Sequence, residues 1–341
     1  MAFDIGGPKV AIVGATGAVG REILSILEER GMQFKSLDLL ASPRSAGRTI
    51  EAFGAAHTVF NLEDYDFAKA DIAFFSAGGA VSKAHAPRAA EAGTLVIDNT
   101  NAFRMDPEVP LVVPQVNRHA LKQRKVSRIV ANPNCSTIQM VRAVGPIDRA
   151  LGIKRLFCAT YQAASGGGLT GMDELLSSTS ARLEGRKDFQ PKKFPSDIGF
   201  NAIPQIDVFL DGGMTLEEQK MRQETRKILD RPDIGVEPFA VRVPVMNGHC
   251  VAVVAECRDT VDLGTVRAAL AEDPDILVHG INSYPNIHDV SGKDTVHVAR
   301  LHGDAENPRQ LYFWVAADNL RVGAALNAVQ IAEAALELAL V

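Results

Sequence analysis

The sequence predicts an α/β chain of two domains, the first built on a doubly wound parallel sheet. Three observations carry this. An apolar run over 9–13 passes through Gly14-Ala15-Thr16-Gly17-Ala18-Val19-Gly20 into a stretch with Ile23, Leu24 and Leu27 at helical spacing. Further apolar strands at 36–41, 72–76 and 95–98 alternate with helical stretches such as 81–92. The length of 341 residues leaves room for a second domain with its own core.

Composition excludes several classes. With 46% apolar residues and a net charge of −5, the chain reads as an ordinary globular protein, and no nucleic-acid partner is expected. No apolar run has the length of a membrane span, and residues 1–9 lack the charged-then-apolar pattern of a signal peptide. The four cysteines, Cys135, Cys158, Cys250 and Cys257, form no C-x-x-C pair. Neither a metal site nor a disulfide framework is expected, and a cytoplasmic location follows by default.

In the first domain, glycines stand at the first, fourth and seventh positions of the turn after the first strand, a dinucleotide-binding pattern. Glycine lets the turn close and a pyrophosphate approach the backbone, and the helix start offers N–H groups to phosphate. Gly14, Thr16, Gly17, Ala18 and Val19 are the candidate contacts. The strand at 36–41 ends in Ser42-Pro43-Arg44-Ser45 rather than in an acidic residue, and Asp38 comes too early in the strand to hold a ribose. Arg44 and Ser45 suit a 2′-phosphate, which favours NADP over NAD, although a loop arginine is more often simply solvated. Ser76 ends the strand at 72–76, at the carboxyl edge where such sheets bind ligands. Arg104, just past the strand at 95–98, has the fork to hold an anion in bidentate fashion, or is a surface arginine.

A strand over 127–131 then leads into Asn132-Pro133-Asn134-Cys135-Ser136-Thr137 and a helix with Ile138, Val141 and Val144 on one face. Cys135 thus sits where backbone N–H groups point outward and the helix dipole favours an anion. A thiol there ionises easily, whereas most core cysteines are inert. A strand at 155–162 ends at Gln162, before Ser165 and the triple glycine Gly166-Gly167-Gly168, which permits close approach to a ligand. Residues 171–213, broken by Pro191, Pro195 and Pro204, are expected to be irregular. A charged helix over 216–229 carries Glu217 and Lys220 on one face, expected to be solvated. Strands at 240–245 and 250–257 read as a hairpin, with Arg242 and His249 straddling its turn. A last strand at 311–316 precedes Asp318-Asn319-Leu320-Arg321-Val322-Gly323 and a helix expected to return over the first sheet.

These residues resemble the aspartate-semialdehyde dehydrogenase family over nearly the whole chain. The resemblance rests on the glycine turn, Arg44-Ser45-Ala46-Gly47, Phe103-Arg104-Met105, the Cys135 hexapeptide, Tyr161-Gln162-Ala163-Ala164-Ser165-Gly166 and Phe200 to Asp207. Glu217-Glu218-Gln219-Lys220, Arg242 to Val245 with Gly248-His249, and Asp318 to Arg321 complete the ordered set. Gly167 stands where alanine is expected and Cys250 where serine is usual.

The resemblance implies a Rossmann-type NADP-binding domain at 1–131, completed by a helix at 320–341, and a mixed-sheet catalytic and dimerisation domain at 132–319, as in glyceraldehyde-3-phosphate dehydrogenase. It implies reductive dephosphorylation of L-aspartyl 4-phosphate by NADPH to aspartate semialdehyde and phosphate, through a cysteine thioester, in lysine, threonine and methionine (diaminopimelate) biosynthesis. Cys135 matches the nucleophile, His249 the proton-transfer group and Gln162 the residue that orients the acyl group. Glu217 and Arg242 match the contacts to the substrate's ammonium and carboxylate. Arg104, Asn134 and Lys220 match the phosphate contacts, and Ser165, Gly166 and Asn319 join the cofactor set. A homodimer or a dimer of dimers is implied. The alternatives are an N-acetyl-glutamyl-phosphate reductase, whose substrate has no ammonium for Glu217, or a non-catalytic NADP-binding protein.

Overall fold

The first of the chain's two units, residues 1–133 with 324–341, is organised by the run Lys9–Val13 (β1), whose alternating valine, alanine and isoleucine are buried on both faces. The computed structural model describes residues 6–122 and 128–341. Ser127, where the last predicted strand of this unit begins, and residues 1–5 lie outside the described residues.

Around β1 stand Ser36–Ala41 (β2), Thr49–Ala52 (β3), Ala55–Asn61 (β4), Ile72–Phe75 (β5), Leu95–Asp98 (β6) and Ile129–Ala131 (β7), in the order β3-β4-β2-β1-β5-β6-β7. All pairings are parallel except that of β3 with β4 at the edge. Ala18–Glu29 (α1), Gly79–Glu91 (α2) and the single turn Pro114–Asn117 (α3) are the helices of the crossovers. The C-terminal helix Leu326–Glu337 belongs to this unit: Arg30, the C-cap of α1, pairs with Glu333 at 2.7 and 2.8 Å, and Asn327 donates to the Val112 carbonyl at 2.9 Å.

The second unit, residues 134–323, is a six-stranded mixed sheet. Its helices are Cys135–Leu151 (α4), Leu169–Leu183 (α5), Leu216–Leu229 (α6), Leu263–Leu270 (α7) and the single turn Ile287–Val290 (α8), which makes the C-terminal helix α9. Its strands are Ile153–Gln162 (β8), Gly235–Arg242 (β9), His249–Cys257 (β10), Ile276–Val278 (β11), Val296–Gly303 (β12) and Gln310–Ala317 (β13), ordered β11-β12-β13-β10-β8-β9. Helix α4 packs on the inner face of the sheet, buried almost along its whole length. The other face carries Phe157, Tyr161 and Phe239, each 40–51% exposed.

Five expectations are corrected. Residues 171–213 are not wholly irregular, because α5 occupies their start. Its buried stripe is Gly171, Glu174, Leu175, Ser178 and Ala181, too small and polar to register as an apolar face. The glutamate is buried because it accepts backbone N–H bonds from Lys192, Lys193 and Phe194 at 2.8, 2.6 and 3.0 Å. Strands β9 and β10 are not a hairpin: β8 lies between them, parallel to β9 and antiparallel to β10. Strand β9 ends at Arg242 rather than at Val245. The face of α6 bearing Glu217 is buried, not solvated. The C-terminal helix begins with a π-turn, Arg321–Ala325, before α9.

Candidate active site

The second unit gathers its predicted residues at the start of α4. Asn134 is the N-cap, in extended conformation, and its Oδ1 accepts the N–H groups of Ser136 and Thr137 at 3.0 and 3.2 Å. Its Nδ2 donates to Glu217 Oε1 at 2.9 Å, and its own N–H donates to the buried Glu224 at 2.6 Å. The expectation of outward N–H groups is thus corrected at the second and third helical positions, where the cap consumes them. Cys135 follows at the first position, half-buried, and none of the four cysteines is in a disulfide. Behind it the backbone of Gly323 approaches so closely that a Cβ there would stand 2.8 Å from Cys135 Cβ.

Arg242 ends β9 and is buried. Its Nη1 donates to the Ala163 carbonyl at 2.6 Å, and the guanidinium lies over the Phe194 ring, 5.4 Å from its centre. Burial lowers its pKa, while the charges of Glu217 and Cys135 pull it back up. His249 opens β10 after Gly248, whose φ of +92° suits glycine. The ring is fully buried. Its pKa is pushed down to about 3, by burial first and then by Arg242, against a smaller opposing pull from the Gly248 backbone. Nδ1 accepts the Ala163 N–H at 3.1 Å, so the neutral ring carries its proton on Nε2. Nε2 is buried and has no hydrogen-bond partner among the described residues. A Cβ on Gly166 would stand 2.8 Å from Arg242 Nη1 and 3.2 Å from His249 Nε2, so this glycine is what lets the turn after β8 reach both groups.

Gln162, at the end of β8, donates to Glu217 Oε1 at 3.1 Å. Lys220, one turn along α6, sits 3.6 Å from Glu217 Oε2 and 2.6 Å from Asp207. Cys135, Asn134, Gln162, Glu217, Lys220, Arg242 and His249 therefore belong to one connected network. Ser165 and Asn319 are buried beside it. Asn319 accepts the Gly248 N–H at 2.8 Å and donates to Ser165 Oγ at 2.9 Å, so both brace the turn that presents His249.

In the first unit the predicted residues lie at the carboxyl ends of parallel strands. Gly14 has φ +90° and bonds through its N–H to Leu40 O at 2.8 Å. A Cβ on Gly20 would stand 2.3 Å from Gly14 O, so the third glycine lets α1 start directly on the turn. Gly17 is the N-cap and supplies no side-chain cap, which leaves the helix-start N–H groups of the stretch after Thr16, from Ala18 and Val19 on, without a side-chain acceptor. Ser76 Oγ donates to Val13 O at 3.1 Å, beside Gly14. Arg44 is exposed and Ser45 half-buried in the turn after β2. Arg104 is not a surface arginine: it is buried, donating to the carbonyls of Asn132 and Asn99 at 2.9 Å each.

Sequence reasoning missed Gln139, Phe194, Asp207, Glu224 and Gly323. Two of these left a signal. Gln139 lies one turn after Cys135, and its Nε2 donates to the His249 carbonyl at 3.1 Å. Glu224 lies two turns after Glu217 on the same helix face.

Two family models match the chain: the NAD binding domain of semialdehyde dehydrogenase over residues 9–124, and the semialdehyde dehydrogenase dimerisation domain over residues 144–322. Aspartate-semialdehyde dehydrogenase 2 of Vibrio cholerae is 48% identical over 326 residues, covering 95% of this chain and 96% of its own. A crystal structure of aspartate semialdehyde dehydrogenase II from the same organism, complexed with ASA, superposes with a TM-score of 0.95 at 46% identity, covering 98% and 99% of the two chains. The Candida albicans aspartate semialdehyde dehydrogenase, solved with NADP, has a TM-score of 0.75 at 25% identity and covers 97% and 98%. The chain belongs to the aspartate-semialdehyde dehydrogenase family.

Proposed function

We propose that the chain reduces L-aspartyl 4-phosphate with NADPH to aspartate semialdehyde and phosphate, in the pathway to diaminopimelate, lysine, threonine and methionine. The observation that carries this reading is the Cys135 network. It places a half-buried thiol in one unit with a cation, Arg242, and a buried carboxylate, Glu217, the set needed for an α-amino acid. An acylated nitrogen would leave Glu217 without its cation, which disfavours the N-acetyl-glutamyl alternative.

The thiolate of Cys135 attacks the acyl carbon, the C–O bond to phosphate breaks, and phosphate leaves with the electron pair. Bound NADPH supplies the hydride. The oxyanion formed on the acyl carbon then collapses, the C–S bond breaks, and the aldehyde leaves with the thiolate restored. Because Nδ1 of His249 is occupied by the Ala163 N–H, the ring serves as an Nε2–H donor to the acyl oxygen, steadying the charge that develops there. Of the two directions of proton transfer, this tautomer suits donation. Gln162 orients the acyl group, Glu217 holds the ammonium and Arg242 the carboxylate. Asn134 and Lys220, with Arg104 of the first unit, are assigned to phosphate.

The cofactor is assigned to a domain of 1–131 completed by 320–341, and the first unit fits it. A side chain at Gly20 would strike the turn, and the uncapped start of α1 offers donors for a pyrophosphate. Gly14, Thr16, Gly17, Ala18, Val19 and Ser76 would hold it, and Ser165, Gly166 and Asn319 of the proposed catalytic domain, 132–319, are assigned to it by family likeness. Exposed Arg44, with Ser45, favours NADP over NAD. The open aromatic face of the second sheet, with Phe157, Tyr161 and Phe239, supports a homodimer, or a dimer of dimers. No helix among the described residues is long and apolar enough to cross a membrane, and the reading places the enzyme in the cytoplasm.

Phosphate-dependent reduction of NADP with aspartate semialdehyde, repeated with NAD, tests the reading. Cys135→Ala is expected to lower turnover at least a thousandfold with NADPH binding near normal. Substantial residual activity in that variant overturns the covalent route.

A further inference from the structure

Lys220 does not face solvent as a bare cation. Its Nζ lies 2.6 Å from Asp207 Oδ2 and 3.6 Å from Glu217 Oε2. Glu217 is the farther anion, and its Oε1 accepts from Asn134 and Gln162. Asp207 is the closer anion, and it is held in place for the purpose. It adopts φ +68°, a left-handed conformation uncommon outside glycine, asparagine and aspartate. Its Oδ1 accepts the Val208 N–H at 2.9 Å and its carbonyl accepts from Gln205 at 3.2 Å, which turns Oδ2 toward Lys220. The Leu216 N–H binds the Val208 carbonyl at 2.8 Å, tying this segment to the start of α6. Burial alone would raise the Asp207 carboxyl, yet Lys220, with smaller contributions from the Val208 N–H and then Lys193, holds it below the usual carboxylate range.

We propose that Asp207 is a resident counter-ion that competes with the phosphate group for Lys220 and thereby weakens the hold of the site on phosphate. The inference rests on the assignment of Lys220 to phosphate. A permanent anion beside a lysine stores its charge cheaply while the site is empty. It also keeps the product anion from being held too tightly, because any phosphate oxygen reaching Nζ must share it with a carboxylate.

The test uses the full-length enzyme in the phosphorylating direction, with inorganic phosphate as the varied ligand. Asp207→Asn keeps the shape and tolerates the backbone conformation while removing the charge, and Asp207→Gly is the second variant should the first fail to fold. The expected result is a phosphate KM five- to tenfold lower. Phosphate should also protect Cys135 from iodoacetamide at correspondingly lower concentration. An unchanged or higher phosphate KM in a folded variant overturns the proposal. Lys220→Met separates this from the reading beneath it. If Lys220→Met leaves phosphate KM untouched, the assignment of Lys220 fails and the competition with it. If it raises KM while Asp207→Asn does not lower it, only the competition fails.

Discussion

Two helix starts in this molecule each follow a parallel strand and are finished in opposite ways. At α1 the N-cap is Gly17, no side chain caps the helix, and the third glycine lets the helix pack directly on the turn. At α4 the N-cap is Asn134, and its side chain and N–H bond Ser136, Thr137, Glu217 and Glu224. The first is made of missing side chains and can receive a large anion along bare backbone. The second is made of side chains already committed, and it fixes one sulfur rather than offering a general anion site. The same strand-to-helix device therefore binds in one unit and positions in the other.

The sharpest way to break the comparison is a methyl group. Gly20→Ala sets a Cβ against the backbone oxygen of Gly14, which cannot swing aside. NADPH affinity should fall about a hundredfold by fluorescence titration, and the rate of Cys135 alkylation should stay near wild type. Equal loss of both would mean the two starts are not independent. Gly166→Ala should cost less, because the atoms it meets belong to the side chains of Arg242 and His249 rather than to backbone. A fall in kcat of about thirtyfold is expected, from displacement of both groups.

Acidity offers a third handle. His249 has a folded pKa of about 3 against an ordinary value of 6.5. Between those values the unfolded chain binds a proton that the folded chain refuses. Its contribution to stability is whole above 6.5 and is lost as pH falls, by about 2 kcal/mol at pH 5. Denaturant unfolding at pH 5 and 7 should show this loss, and His249→Gln should flatten it. The smallest effect belongs to Asn134→Ser. Serine keeps the cap, so unfolding stability should change by less than about 1 kcal/mol. It loses the donor to Glu217, and kcat should still fall several-fold.

The first unit was largely legible because its information is local. Strands β1, β2 and β6 begin and end where their apolar runs do, and the glycine turn announces its own shape. The second unit hid what depends on distant pairing. Nothing between Arg242 and His249 reveals that β8 runs between their strands, so a crossover passed for a hairpin. Helix α5 was hidden because its buried face is built from glycine, serine, alanine and a glutamate satisfied by a loop twenty residues on. The site residues carried their type but not their couplings. Glu217 and Lys220 looked like a solvated pair, because the apolar and polar partners that bury them, including Asp207, come from another part of the chain.

The close packing of Gly323 on Cys135 has a mechanical consequence. The contact is made to the Cα, Cβ and carbonyl oxygen of the cysteine, the base on which its sulfur is carried. A methyl group at position 323 would have to push that base aside, so Gly323→Ala should slow alkylation of Cys135 although position 323 bears no reactive group.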